Sequence, residues 1–201
     1  MNLSLDQIVS DFAAAMFVVD RRRPVFVTRT GRAYRPGIGP HSEEKAVELV
    51  LLEMRSASPD RYAKCGQGLT YPGSRQKCDV WVGDPVEWVI EVKMARFFGD
   101  NGKPDDTSLK DLLSPYEAHR SALADALKLA RSAFACRKAI LIYGFDYPKM
   151  ELEPAIRAFE LLARDCVRLG ERVTSPIPVL LVHPVHSRGQ VFAWEVRPRG
   201  M

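Results

Sequence analysis

Apolar positions along the chain recur with two periods, one helical and one extended. From His41 to Arg55 the period is helical. Counting from Glu43, Ala46, Val47, Val50, Leu51 and Met54 fall three, four, seven, eight and eleven places on, which puts them on one face. Ser42 is placed to cap this helix, and Glu43 and Glu44 fill the first turn, where acids suit the helix dipole. Leu5 to Val19 also predicts a helix. So does Tyr116 to Ala135, with Ala118, Leu123, Ala126, Leu127, Ala130 and Phe134 on its apolar side and Ser114-Pro115 at its start. A further helix is expected from Glu151 to Leu169, with Pro154 in the first turn and Gly170 as its stop.

Extended runs alternate with these helices. Val80 to Val82 and the nearly continuous apolar run Val86 to Val92 read as two strands joined by a Gly83-Asp84-Pro85 turn. Lys138 to Tyr143 predicts a central strand. Ile177 to Val182 and Val191 to Val196 predict two final strands, and Val25 to Thr28 a short early one. Phe97 to Pro115 shows no clear period. It reads as a long connection, a class of segment that is usually functional or disordered. The pattern as a whole predicts a single α/β domain over residues 1–201, with a mixed central sheet and helices on both faces.

Three polar residues interrupt the paired apolar runs. Asp79 stands at the start of the first, and Glu91 and Lys93 stand two apart near the end of the second, so that they share a face. If the strands pair antiparallel about the turn, Asp79 comes beside Glu91. Acids and lysines are rarely buried unless paired or metal-bound. Two carboxylates and an ammonium at one point can hold a hard cation such as magnesium and activate a water. Glu43 heads the apolar stripe of its helix. Glu44 is turned about 100° away and Glu48 further, which favours Glu43 as a third acid. The plain alternative is an edge strand carrying ordinary ion pairs.

A helix bearing Glu43, a strand, Asp79 on a second strand and Glu91-Val92-Lys93 on a third resemble the PD-(D/E)xK nuclease superfamily. Its core is helix, three strands, helix, strand, and the resemblance covers about residues 42–144, flanked by an N-terminal helix and arm and a C-terminal helix with two strands. The proline of the motif is replaced here by Cys78. The resemblance implies a restriction-endonuclease-like fold and a magnesium-dependent nuclease, with manganese as a substitute ion, acting on nucleic acid, DNA first. It implies that Asp79 and Glu91 hold the metal, joined by the Val92 carbonyl, that Lys93 assists the attacking water, and that Glu43 completes the site. It also allows a homodimer, one subunit to each strand. The rival expectation is a catalytically silent module on the same fold that binds nucleic acid or protein.

Composition adds limits. The net charge is +4, which permits nucleic-acid binding without requiring it. Arginines crowd residues 21–35, and Arg32, Arg35, Arg75 and Lys77 are the candidates for phosphate contact. Arg96, Lys103, His119, Arg120 and Lys128 are further residues that could reach the site; Asp105 and Asp106 are given no metal role. Cys65, Cys78, Cys136 and Cys166 are far apart and read as reduced thiols. His183-Pro-Val-His186 lacks a nearby third ligand in sequence and reads as a turn. No phosphate loop, nucleophile elbow or dinucleotide fingerprint is present. No apolar run is long enough to span a bilayer, so no membrane partner and a cytoplasmic location are expected.

Overall fold

In the computed structural model, residues 3–105 and 107–199 are described, without the side chain at position 117; Asp106 lies outside them. Ser4 caps α1 (Leu5–Arg21) by accepting from the Gln7 N–H at 3.2 Å, and Ser42 caps α2 (Glu43–Ala57) through the Lys45 N–H at 3.4 Å. A short helix α3 (Pro59–Tyr62) leads to β1 (Cys65–Gly66). A small antiparallel ribbon, β2 (Leu69–Thr70) with β3 (Lys77–Cys78), comes before β4 (Val80–Val82) and β5 (Trp88–Ala95). The chain continues through α4 (Thr107–Leu113), a 3-10 turn (Glu117–His119), α5 (Ala122–Arg131), β6 (Arg137–Asp146) and α6 (Glu153–Cys166). It ends in β7 (Arg168–Leu169), β8 (Val173–Pro176) and β9 (Arg188–Arg197).

The main sheet runs β1-β4-β5-β6-β9-β7, with β8 also on β9. Only β5 and β6 pair in parallel; the other pairs are antiparallel. Residue alternation sorts the helices between its two faces. Tyr143 packs on Phe12 of α1 at 5.9 Å between ring centres, while Trp194, opposite Ile140 in register, packs on Phe159 of α6 at 5.2 Å. Tyr143 and Ile140 are three apart on one strand, so α1, with α2 against it, lies on one face and α6, with α4 and α5, on the other. Both faces of the central strands are thus covered, and β6 is buried from Ala139 to Phe145.

Several boundaries depart from the sequence pattern. Val25 to Thr28 forms no strand; Val27 makes one isolated bridge to Ala33, and Val25 and Val27 are half exposed. β5 begins at Trp88, not Val86, because the turn uses residues 83–86, and it extends to Ala95. The supposed long connection contains α4, which buries Leu112. The helix expected from Tyr116 starts only at Ala122: Arg120 takes a positive φ of 47°, and Ser121, not Ser114, is the cap, accepting from the Ala124 N–H at 3.1 Å. α6 stops at Cys166 rather than at Gly170, because Arg168 and Leu169 are drawn into pairing with Arg197 and Val196. The strand expected at Ile177 to Val182 is displaced to Val173–Pro176, where it pairs with β9. The four cysteines are free, and among the described residues no helix is long and apolar enough to cross a membrane.

One buried carboxylate ties distant segments together. Asp20 at the end of α1 has no exposed surface and accepts from the Ile38 N–H at 2.9 Å and the Val182 N–H at 2.6 Å. It thereby holds the segment entering α2 against the loop after β8. Asp20→Ala would leave both N–H groups buried without a partner, and is expected to cost about 2–5 kcal/mol of unfolding free energy, while loss of the exposed-end cap in Ser42→Ala costs about 1 kcal/mol. Urea unfolding of the two variants checks the ranking, and equal midpoints would remove Asp20 from the framework.

Candidate active site

The site arises where β5 loses a neighbour. β4 and β5 pair as Val80↔Ile90, Trp81↔Val89 and Val82↔Trp88, so the register brings Asp79 opposite Glu91 just as β4 ends. Beyond that point the edge of β5 still needs hydrogen-bond acceptors. Asp79 Oδ2 accepts from the Val92 N–H at 2.8 Å, and Glu43 Oε2 from the Met94 N–H at 2.5 Å. In an extended strand a residue's carbonyl lies on the same edge as its N–H, so the Val92 carbonyl shares this edge with Asp79.

Glu91 and Lys93 project from β5 toward α5 and meet a second set of charges. Glu91 is 2 % exposed; it accepts from the Tyr71 hydroxyl and pairs with Lys128 Nζ at 2.8 Å. Lys128 also meets Asp125 Oδ1 at 2.7 Å. Asp125 Oδ2 lies 3.3 Å from Lys93 Nζ, which is 3.6 Å from Glu43 Oε1. The order Glu43, Lys93, Asp125, Lys128, Glu91 alternates in charge. Tyr71, Lys77, Arg120 and Arg131 are among the other residues that line a cleft of about 640 Å³ over these groups.

Burial sets the proton affinities here. It pushes the Glu91 carboxyl up to about 8, with the nearby Asp79 charge in the same direction. It raises Glu43 to about 7, against the opposing pull of Lys93 and of the Met94 N–H. Burial works against the charge on Lys93 and Lys128, yet the surrounding carboxylates hold both above the ordinary lysine value. The result is a pocket with carboxylate oxygens that bind protons readily and two ammonium groups that stay charged. Such oxygens suit a hard cation, since Asp79, Glu91 and the Val92 carbonyl offer the donor type magnesium takes. Cation binding would also offset the burial that raises the proton affinity of Glu91.

Asp79, Glu91, Lys93 and Glu43, each anticipated from the chain, are brought together. Glu44 is exposed, and Glu48 pairs with Lys45 at 2.7 Å on the surface. Lys77 lines the cleft, while Arg75 is exposed on the neighbouring turn. Arg32 and Arg35 do not line it: both are exposed on the segment before α2, and Arg32 lies over the Tyr34 ring at 5.3 Å. Arg96 is occupied by the Gly39 carbonyl at 2.8 Å, and His119 by Ser114 Oγ at 2.5 Å. Arg120 and Lys128 do reach the cleft. Asp125 and Tyr71 escaped notice. Asp125 looks like an ordinary first-turn acid, and its one signal is its place three residues before Lys128, among the small apolar residues of α5.

The raised carboxyls have a consequence for metal-free protein. The unfolded chain ionises Glu91 near 4.5 and the folded chain near 8, and Glu43 behaves alike with a folded value near 7. The folded state holds extra protons across that window, so this contribution is full below pH 4.5 and is lost as pH rises toward 8. Glu91→Gln is expected to flatten the fall, most of all between about pH 5.5 and 7, with a smaller effect toward pH 8. Thermal melts in EDTA check this, and an undiminished slope in the variant would mean that Glu91 carries no such penalty. Comparison of the chain with known protein families, curated proteins and solved structures finds no match in any of the three.

Proposed function

We propose that the protein is a magnesium-dependent nuclease that hydrolyses phosphodiester bonds in nucleic acid, DNA first. The observation that carries this reading is the meeting of Asp79, Glu91, Lys93 and Glu43, drawn from three separate elements, at the point where β5 runs on past β4. The order α2, β1, β4, β5, α5, β6 supports it, since it can be matched to the helix, three strands, helix, strand expected of a PD-(D/E)xK core, with Glu43 opening α2, Asp79 just before β4, and Glu91 and Lys93 on β5.

Asp79 and Glu91, with the Val92 carbonyl, would hold magnesium, which supplies charge stabilisation to the phosphoryl oxygens and acidifies a bound water. Lys93 lies between Glu43 and Asp125, and this pins its ammonium where it can orient the attacking water and offset the charge that develops on the phosphate. Glu43 fixes both Lys93 and the Met94 backbone, so it acts on the site by position. Lys128 has a different task. It pairs with Glu91 and Asp125, and with a metal on Glu91 its ammonium would be placed to meet a phosphate oxygen. Lys77 and Arg120, at the cleft's rim, are placed for the backbone phosphates.

The ion pairs also favour a second reading, a silent nucleic-acid- or protein-binding module, since Glu43, Asp125 and Glu91 each already have a lysine partner without a cation. Cleavage of labelled plasmid, linear, branched and single-stranded substrates in magnesium, manganese or EDTA separates the two. The nuclease reading expects metal-dependent cutting that Lys93→Ala reduces about 10²–10⁴-fold. Cutting that survives both Lys93→Ala and Asp79→Ala would belong to another site. Absence of cutting together with absence of any magnesium-dependent melting shift would favour the silent module.

A further inference from the structure

Away from the cleft, the loop after β5 meets the loop between β8 and β9. Asp100 on the first and His183 and His186 on the second place one donor atom each within 4.8 Å of one another. Both histidines have no exposed surface, and the Asp100 side chain is 19 % exposed. We propose that these three residues form a cation site separate from the cleft, selective for zinc or a similar divalent transition ion.

The spacing suits a small tetrahedral ion. His186 Nε2 lies 2.9 Å from Asp100 Oδ1, and two ligands at zinc distances stand about 3.3 Å apart. The imidazoles of His183 and His186 lie side by side, 4.7 Å between centres and 17° apart. As a purely hydrogen-bonded cluster the arrangement is incomplete. His183 Nδ1 accepts from the His186 N–H at a long 3.3 Å, which leaves the proton on Nε2, and that buried nitrogen has no partner. An orphaned buried donor costs about 1–3 kcal/mol. Ligation through Nε2 would use the orphan; it moves the proton to Nδ1, so the long contact from the His186 N–H is exchanged for the metal bond.

The surroundings accommodate the proton that His186 must give up. Its Nδ1 lies 2.9 Å from the Tyr147 hydroxyl. A hydroxyl both donates and accepts, so the ring can change from Nε2–H, directed at Asp100, to Nδ1–H, directed at Tyr147, with no loss of a partner. A ligating histidine held from behind in this way is the usual support of a metal site. Gly39 packs against the same ring: a Cβ there would come within 2.6 Å of the His186 Cβ. The charges nearby are mixed, with Asp20 and Asp100 set against Arg35 and Arg96. Two imidazoles with one carboxylate are a softer set than the oxygens of the cleft, and they favour zinc over magnesium. The ion would join the loop after β5 to the C-terminal half, whatever the cleft does.

The test uses the full chain carrying Glu91→Gln, which weakens cation binding in the cleft, titrated with zinc chloride against a chromogenic zinc chelator. One equivalent of zinc should bind, cobalt(II) should give the visible absorption of a four-coordinate site, and zinc should raise the melting temperature. Adding Asp100→Asn should weaken zinc binding at least about tenfold. Because that residue is on a partly exposed loop and keeps its volume, the variant's melt in EDTA should match that of the parent, and this separates ligand loss from misfolding. His183→Ala should abolish the cobalt spectrum. Failure of zinc to bind at micromolar free metal overturns the proposal, and so does zinc binding that is unchanged in both Asp100→Asn and His183→Ala.

Discussion

The unpaired stretch of β5 is the constraint on which the rest of the site depends. β4 stops at Val80, yet β5 runs on to Ala95, and its backbone donors there lie inside the protein and must be satisfied. Asp79 and Glu43 satisfy them. The two carboxylates are therefore held by the sheet itself rather than by a flexible loop, and each is committed through one oxygen. The other oxygen of each, together with Glu91 and Lys93 on the strand between them, is what the cleft can use. A strand that ends early thus gives a set of buried charges a structural reason to exist.

The charges on the α5 side complete the balance. Glu91 alone would be too costly to bury as an anion, and Lys128 and the Tyr71 hydroxyl lie against it. Asp125 then becomes necessary, because it stands between two ammonium groups that would otherwise repel. The network is stable without a cation but is not rigidly tied to that state. Its buried glutamates keep a high affinity for positive charge, and Lys128 is the more exposed of the two lysines.

Much of this was legible in the chain and some of it was not. The helix from Glu43 and the strand with Glu91 and Lys93 announce themselves, because periodicity, cap and apolar context agree. Glu43 could be preferred to Glu44 from helical phase alone, and it is Glu43 that accepts from the Met94 N–H while Glu44 is exposed. The failures fall where a tertiary partner overrides a local pattern. Arg168 and Leu169 fit a helix but pair with β9, and Tyr116 to Arg120 fit one but turn away before Ser121. Tyr71 carries no local mark of its role and Asp125 only its spacing to Lys128, since the packing of α5 and of the segment around the ribbon against β5 makes them neighbours of Glu91. His183 and His186 lacked a third partner in sequence because Asp100 is more than eighty residues away.

The tie made by Asp20 bears on the order in which the molecule can be completed. The segment that delivers Glu43 to β5 is held by Asp20 together with Val182, and Gly39 rests on His186. β6, at the centre of the sheet, has β9 along one whole side. Every acid and lysine of the cleft has left the ribosome well before residues 182–197 are made. Until then β6 lacks a neighbour and the approach to α2 has nothing to rest against. The residues of the cleft are thus encoded before the segments that hold them in place, and their arrangement waits on those segments.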